Sequence, residues 1–130
     1  EVGSVATPFE NRSFGEELAL CQRYFEKSYA QGTDPATATS ASGIQYRYSN
    51  SASMAANYGQ HHTRFAVYKR AAPTVVIFST DGTSAHVTAE GGASGNKNVE
   101  VTHSAEGGVS INTTEVTDQN TFHFTADTEL

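Results

Sequence analysis

The sequence predicts a mainly β protein, an antiparallel β-sandwich of jelly-roll-like type with one N-terminal amphipathic helix. Short runs in which apolar and polar residues alternate recur along most of the 130 residues, and turns rich in Gly or Asn separate them. About seven such strands at this spacing are typical of sandwiches and jelly rolls. Strands and helices do not alternate, which argues against a parallel sheet. The length is that of one domain.

The first segment of the chain is predicted to be extended. The stretch EVGSVATPFE holds Pro8 and small residues, which favour extended over helical backbone. We interpret residues 1–12 as an extended connector from an upstream domain, and residues 13–130 as a single β-sandwich domain that includes a helix at 13–29. The chain is accordingly expected to be the C-terminal piece of a longer polypeptide.

The helix is predicted from a capping signal followed by helical periodicity. Ser13 stands three residues before Glu16, which is the spacing of a capping box. Leu18, Cys21 and Phe25 then recur at the i, i+3, i+7 spacing of one helix face. We expect this apolar face to lie against the sheet. Cys21, as part of it, is expected to be a buried small hydrophobe.

The strands are predicted from runs with a period of two residues. These runs are IQYRYS (44–49), TRFAVYKR (63–70), APTVVIFST (72–80), SAHVTAE (84–90), KNVEVTHS (97–104), GGVSINTT (107–114) and TFHFTADTEL (121–130). The run at 72–80 is almost continuously apolar, as in a strand that is covered on both faces. In the others the alternation predicts one buried and one solvent-facing side, as for the pairs Val99/Val101, Val109/Ile111 and Phe122/Phe124.

The connections are predicted from their composition. Residues 31–42 are rich in Thr, Ala and Ser and contain Gly32 and Pro35, which predicts a loop without regular structure. Residues 50–62 are small and polar, and they are predicted to form a second long loop. Asp81-Gly82 is the clearest turn signal in the chain.

Composition and charge argue against two classes of partner. The formal net charge is −6 and the chain has only 8 Lys and Arg, which are scattered, whereas nucleic-acid binding requires clustered basic residues. No apolar run reaches the roughly 18 residues of a membrane span, so no membrane insertion is expected. The single cysteine excludes an internal disulfide.

Histidines are the first candidates for metal binding. His61 and His62 are adjacent, so on a strand they point to opposite faces and cannot chelate one ion together. His86, His103 and His123 are single residues at polar strand positions, where we expect them to be solvated. We expect no metal and no other cofactor. The open alternative is a zinc site assembled at long range, or by several copies of the chain near a symmetry axis.

No catalytic constellation is recognisable in the sequence. A glycosidase requires two carboxylates that face each other in a cleft, whereas most Asp and Glu residues here fall in turns or on solvent-facing strand positions. There is no GxSxG motif, and the glycines of EGGASGNK do not precede a helix. We therefore expect no catalytic residues and no enzymatic activity. A polysaccharide depolymerase remains as the enzymatic alternative.

Tyrosines indicate a sugar-binding surface. A tyrosine ring can stack on the apolar face of a sugar while its hydroxyl stays in water. Tyr46, Tyr48 and Tyr58 lie in a polar stretch rich in Asn, Ser and Gln, with His61 close behind. These four residues are the candidate glycan-binding residues. In the alternative interpretation, Tyr46 and Tyr48 are inward-facing strand residues of the core.

Three stretches resemble a known family. They are EVGSVATPFENRSFGEELALCQRYFEKSY (1–29), RAAPTVVIFS (70–79) and the terminal FTADTEL (124–130). They are similar to the C-terminal module of tailed-phage and prophage virion proteins, which are described as tail fibres, receptor-binding proteins or head and tail appendages. The resemblance implies a location in the virion after assembly in the host cytoplasm. It also implies a homotrimer in contact with other virion proteins, and it transfers no catalytic residue.

Two functions follow as expectations. The first is a virion structural protein, the terminal module of a tail fibre or appendage that binds a host-surface polysaccharide without catalysis. The alternative is a decoration domain, or a head or neck fibre domain, whose partner is another virion protein. In both, residues 1–12 connect to the upstream part, and the helix docks that connector onto the β domain.

Overall fold

A computed structural model of the chain describes residues 12–40, 42–48, 59–90, 95–113 and 119–129. Within these ranges the helix is α1 (Phe14–Gln22), and the strands are β1 (Phe25–Lys27), β2 (Gln45–Tyr48), β3 (Gly59–Arg64), β4 (Thr74–Phe78), β5 (His86–Glu90), β6 (Gly95–Ala105), β7 (Gly108–Thr113) and β8 (Gln119–Asp127). No helix in the described part of the chain is long and apolar enough to cross a membrane. The predicted connector at 1–12 lies outside these ranges except for Arg12.

The strands form one curled antiparallel sheet around β8. Thr121 pairs with both Tyr46 and Thr88, so β2 and β5 flank the first half of β8. Thr125 pairs with both Lys27 and Val76, so β1 and β4 flank its second half. From β5 the sheet continues through β6 and β7 to β3, and it curls into a half-barrel. The mainly β, antiparallel prediction is confirmed, and the sandwich of jelly-roll-like type stays a prediction.

The hydrophobic core fills the concave side of the half-barrel. Along β8, Phe122, Phe124 and Ala126 point to this side and are buried. They meet Ile77 of β4, Val87 of β5, Val109 and Ile111 of β7, and Phe65. Burying one large apolar side chain contributes about 1.5–3 kcal/mol, so this cluster is the main source of stability. The predicted inward positions of β7 and β8 are confirmed. In β6 the prediction is wrong for Val101, which is 38% exposed, whereas Val99 is half-buried.

The convex side of β8 is also buried, which corrects the prediction of a solvent-facing side. His123 is fully buried there, so the expectation that it is solvated is wrong. Its ring stacks on Tyr29, its Nδ1 lies 3.1 Å from Ser28 Oγ, and its Nε2 lies 3.3 Å from the carbonyl oxygen of Thr39. Because the segment at 28–40 supplies hydrogen-bond partners for both ring nitrogens, a polar strand face can be covered without leaving those groups unsatisfied.

β4 is less covered than its apolar run predicts. Ile77 and Phe78 are buried, but Thr74 and Val76 are exposed. The covering segment reaches Phe78, which Tyr29 contacts edge-on at 6.1 Å between ring centroids. The first half of β4 therefore keeps one open side.

α1 begins as predicted and ends early. Ser13 is the N-cap, and the reciprocal hydrogen bonds of a capping box join it to Glu16. The helix ends at Gln22 instead of continuing to residue 29. The carbonyl oxygens of Arg23 and Tyr24, which a longer helix would use internally, accept the N–H groups of Arg70 and Thr128. The chain then turns into β1, which pairs with β8.

The apolar face of α1 does not lie against the sheet. No residue of α1 is buried, Leu18 and Phe25 are each 42% exposed, and Cys21 is exposed. The expectations of a docked helix and a buried Cys21 are therefore wrong. The concave side is already filled by the strands and the convex side of β8 by the segment at 28–40, so α1 remains at the edge of the sheet next to β1.

The connections are partly as predicted. The described residues of 31–42 contain no helix or strand, and Gly82 forms a turn at φ 87°, so both predictions are confirmed. Of the predicted loop at 50–62, residues 50–58 lie outside the described residues, and the last residues are wrong because β3 begins at Gly59. The predicted strand at 63–70 ends at Arg64. β3 can pair only as far as β7 extends, and Arg64 is opposite the first residue of β7, Gly108.

Candidate functional site

The structure places two of the four predicted glycan-binding side chains. Tyr46 is 52% exposed, and its partner on β8 is Thr121, on the convex side of the sheet. His61 is half-buried and lies on the concave side. The side chain of Tyr48 and all of Tyr58 lie outside the described residues. Tyr46 and His61 are therefore on opposite sides of the sheet and do not form one stacking surface.

A polar group of side chains lies at one end of the concave side. Arg47 pairs with Asn120, which alternates along β8 with the core residue Phe122. His61 pairs with Ile111, and Thr113 follows on the same side of β7. We call Arg47, His61, Thr113 and Asn120 the polar end of the half-barrel. Strand alternation alone places all four on the side that elsewhere carries the hydrophobic core.

Arg47 is the charged residue of the polar end. Only 7% of it is exposed, and its Nη1 donates a 2.8 Å hydrogen bond to Thr113 Oγ1. Among the residues that the structure describes, no carboxylate forms an ion pair with it. Burial lowers the pKa of Arg47, but a guanidinium remains protonated in proteins. The site therefore contains a buried positive charge that lacks a carboxylate partner in the described chain.

His61 is a neutral neighbour of this charge. Its ring meets Phe122 edge-on, with ring centroids 5.6 Å apart. Burial lowers the pKa of His61, and its electrostatic interaction with the neighbouring Arg47 lowers it further. At neutral pH the ring is uncharged, so it offers one hydrogen-bond donor and one acceptor.

Thr63 adds unused hydrogen-bonding capacity to the interior. It lies two residues beyond His61 on the same side of β3 and is buried. Within the described ranges its hydroxyl has no hydrogen-bond partner. A buried hydroxyl without a partner costs about 1–3 kcal/mol, so a polar ligand that reached it would remove a penalty.

The described carboxylates do not form a hydrolytic pair at this site. The polar end itself contains no Asp or Glu. Asp81, in the turn after β4, accepts hydrogen bonds from Ser79 Oγ, the Thr83 N–H and Asn96 Nδ2. These bonds, that from Ser79 first, hold the pKa of Asp81 well below its usual range. An acid that stays ionised is a poor general acid, so Asp81 is unsuited to donate a proton. Its hydrogen bonds to Ser79, Thr83 and Asn96 stabilise the turn instead.

Two further features bear on function. Over the described ranges, no group of three or more His, Cys, Asp or Glu side chains is placed to hold a metal ion. An apolar groove of about 370 Å³ lies between α1 and β1, and its apolar lining is Phe14, Leu18, Cys21, Phe25 and Tyr29. We call it the α1–β1 groove. The groove is present because the apolar face of α1, which was expected to be buried, is exposed.

Sequence reasoning found His61 but missed Arg47 and Asn120. The alternation in IQYRYS places Arg47 and Tyr46 on opposite faces of one strand, but it does not indicate which face is buried. Only the pairing of Arg47 with Asn120, 73 positions later in the chain, settles that. An arginine in the middle of a short strand is the one local signal that could have directed attention to it.

Comparison with protein-family models, curated proteins and solved structures found no match to this chain. A fold alone does not define a function, which depends on the residues of the site.

Proposed function

We propose that this chain is the terminal module of a phage tail fibre or virion appendage and that it binds a host-surface glycan without catalysis. The polar end is the observation that carries the proposal. Sugars are recognised through hydroxyl groups, and a pocket that accepts them needs several fixed donors and acceptors among apolar walls. Arg47 and His61 offer such groups beside Phe122.

The resemblance of residues 1–29, 70–79 and 124–130 to phage virion modules supports the location in the virion. Under this proposal the chain assembles in the host cytoplasm, associates with other copies of itself as a homotrimer, and contacts other virion proteins. The half-barrel then forms part of a jelly-roll-like sandwich. Among the residues that the structure describes, no carboxylate belongs to the polar end, which supports binding over hydrolysis.

A pair of adjacent histidines provides the test. His61 points into the concave side, whereas His62 is exposed and contacts Ser110 Oγ at 3.2 Å. An oligomeric form of the chain would be assayed on an array of bacterial surface polysaccharides and by adsorption to host cells. We expect His61→Ala to weaken glycan binding by about 5-fold or more, the effect of one lost hydrogen bond, and His62→Ala to leave it unchanged. Absence of binding to any glycan or cell would overturn the proposal.

The α1–β1 groove favours a second function, a structural domain whose partner is another virion protein. Phe14, Leu18 and Phe25 are between 42% and 74% exposed, and contiguous apolar surface often marks a protein interface. The position of the domain in the intact particle decides between the two functions. A free distal tip supports glycan binding, and burial of the groove against the shell or neck supports the structural role.

A further inference from the structure

We propose that the polar end takes the carboxylate of an acidic sugar and that this carboxylate pairs with the Arg47 guanidinium. The inference rests on the proposed glycan-binding function and specifies its ligand class. It assigns to Arg47 the role of the specificity-determining residue, with His61 beside it.

Arg47 is a buried charge without a carboxylate partner among the described residues. Burying a cation costs several kcal/mol unless an anion and further hydrogen bonds compensate it. In the described part of the chain, Arg47 has one hydrogen bond, to Thr113, and no carboxylate partner. A guanidinium carries five N–H donors in a planar fork, and a carboxylate fits that fork with two parallel hydrogen bonds. A ligand carboxylate would supply the missing counter-charge in the geometry that arginine prefers.

The neutral groups near Arg47 favour a sugar acid over a simple anion. The Thr63 hydroxyl is buried without a partner in the described residues, and His61 lies half-buried between Thr63 and Arg47 on the concave side. A simple anion carries no hydroxyl groups that could pair with these neutral donors and acceptors. A sugar acid carries hydroxyl groups next to its carboxylate, so one sugar can pair with Arg47 and with His61, the nearer of the two neutral residues.

The net charge of the chain limits the ligand further. At −6 the protein as a whole repels a polyanion. Exposed charges are screened beyond about 8 Å at physiological ionic strength, whereas a contact with the buried Arg47 is screened much less. The site therefore fits one acidic residue within a largely neutral glycan, and a densely charged polymer fits poorly.

The test compares two sugars that differ only at the acidic group. Methyl glucuronoside and methyl glucoside would be titrated into the intact chain by calorimetry at constant ionic strength. We expect the glucuronoside to bind at least about 10-fold more tightly, since a hydrogen bond to a charged group contributes about 1.5–3 kcal/mol. Arg47→Gln should remove this preference. Arg64→Gln, at an exposed arginine of β3, should keep it.

A measurement on the unaltered chain covers the case in which Arg47→Gln does not fold. The NMR signal of the Arg47 side-chain Nε should shift with the glucuronoside and stay in place with the glucoside. Equal affinity for the two sugars, or a preference that survives Arg47→Gln, would overturn the inference. A sulfate ion that displaces the glucuronoside at equal concentration would also overturn it, because the site would then select charge and not a sugar acid. Binding of the neutral glucoside without binding of the glucuronoside would refute this inference but would still support the glycan-binding proposal.

Discussion

The imidazole of His123 stacks on the ring of Tyr29, with ring centroids 4.1 Å apart and ring planes inclined by 15°. This contact joins the central strand β8 to the segment that covers its convex side. Ser28 Oγ, on the same segment, accepts the N–H of Phe124 at 2.9 Å. The segment at 28–40 is therefore attached to β8 through consecutive residues, and it makes the convex side a second buried layer.

The stability of the protein should fall as the pH drops below about 6.5. Burial lowers the pKa of His123 below its usual value of 6.5, and burial also lowers that of His61. Below pH 6.5 the unfolded chain therefore binds more protons than the folded one, and the free energy of unfolding decreases toward the folded-state pKa. Urea unfolding at pH 7.5, 6.5 and 5.5 measures this. His123→Phe should reduce the slope, and His103→Gln, at an exposed position, should not. An unchanged slope in His123→Phe would refute this account.

The buried ion pair between Lys69 and Glu26 should be costly to break. Lys69 Nζ donates to Glu26 Oε2 at 2.6 Å and to the carbonyl oxygen of Gln22 at 2.5 Å, and the Lys69 side chain is fully buried. Lys69→Met leaves the carboxylate without its cation, so we expect a loss of about 3–5 kcal/mol in the free energy of unfolding. Glu17→Gln breaks an exposed pair and should cost under about 1 kcal/mol.

A double variant tests the pair itself. Glu26→Gln combined with Lys69→Met should cost less than the sum of the two single changes, because neither partner is then left as an isolated charge. If the loss in the free energy of unfolding of the double variant equals the sum of the two single losses, the contact between Glu26 and Lys69 contributes nothing to stability.

Gly43 should not tolerate a side chain. Its φ is 94°, and a Cβ there would overlap the carbonyl oxygen of Ser28. Gly43→Ala is expected to destabilise the protein by more than about 1 kcal/mol, because the left-handed backbone and the overlap both oppose it. At Gly32 an added Cβ meets no atom within 4 Å, so Gly32→Ala is the control. Equal melting temperatures for the two variants would contradict the placement of this turn.

Charging the α1–β1 groove should leave the fold intact. Leu18 is 42% exposed, so Leu18→Asp should change the free energy of unfolding by less than about 0.5 kcal/mol. If the groove is the interface with another virion protein, as in the second function, the same variant should reduce the amount of this protein found in purified particles. A large loss of monomer stability would show that the helix packs in solution, against the structure.

The sequence predicted the parts of the fold that depend on local pattern. Alternation identified the inward residues Ile111 and Phe122, and the Ser13–Glu16 spacing identified the start of the helix, because each signal lies within a few residues. The end of the helix was missed because Arg70 and Thr128, distant in the chain, take the carbonyl oxygens of Arg23 and Tyr24. Such long-range competition leaves no local signal.

The same difference between local and long-range signals decides which residues of the candidate site were predicted. His61 was selected because histidine and tyrosine cluster there, and its residue type was sufficient. Arg47 and Asn120 have ordinary polar side chains in strands, and burial follows only from the order in which β2, β8 and β7 meet. Tyr46 was grouped with His61 by sequence proximity, although the pairing of the strands places them on opposite sides of the sheet.

NMR shift mapping of the labelled chain, titrated with a host-surface oligosaccharide selected on the array, tests the location of the binding site most directly. Binding at the polar end should shift the resonances of Arg47, His61, Thr113 and Asn120, and leave those of Phe14 and Leu18 in place. Shifts confined to Phe14, Leu18 and the rest of the α1–β1 groove, or shifts of Tyr46 alone, would contradict binding on the concave side of the half-barrel.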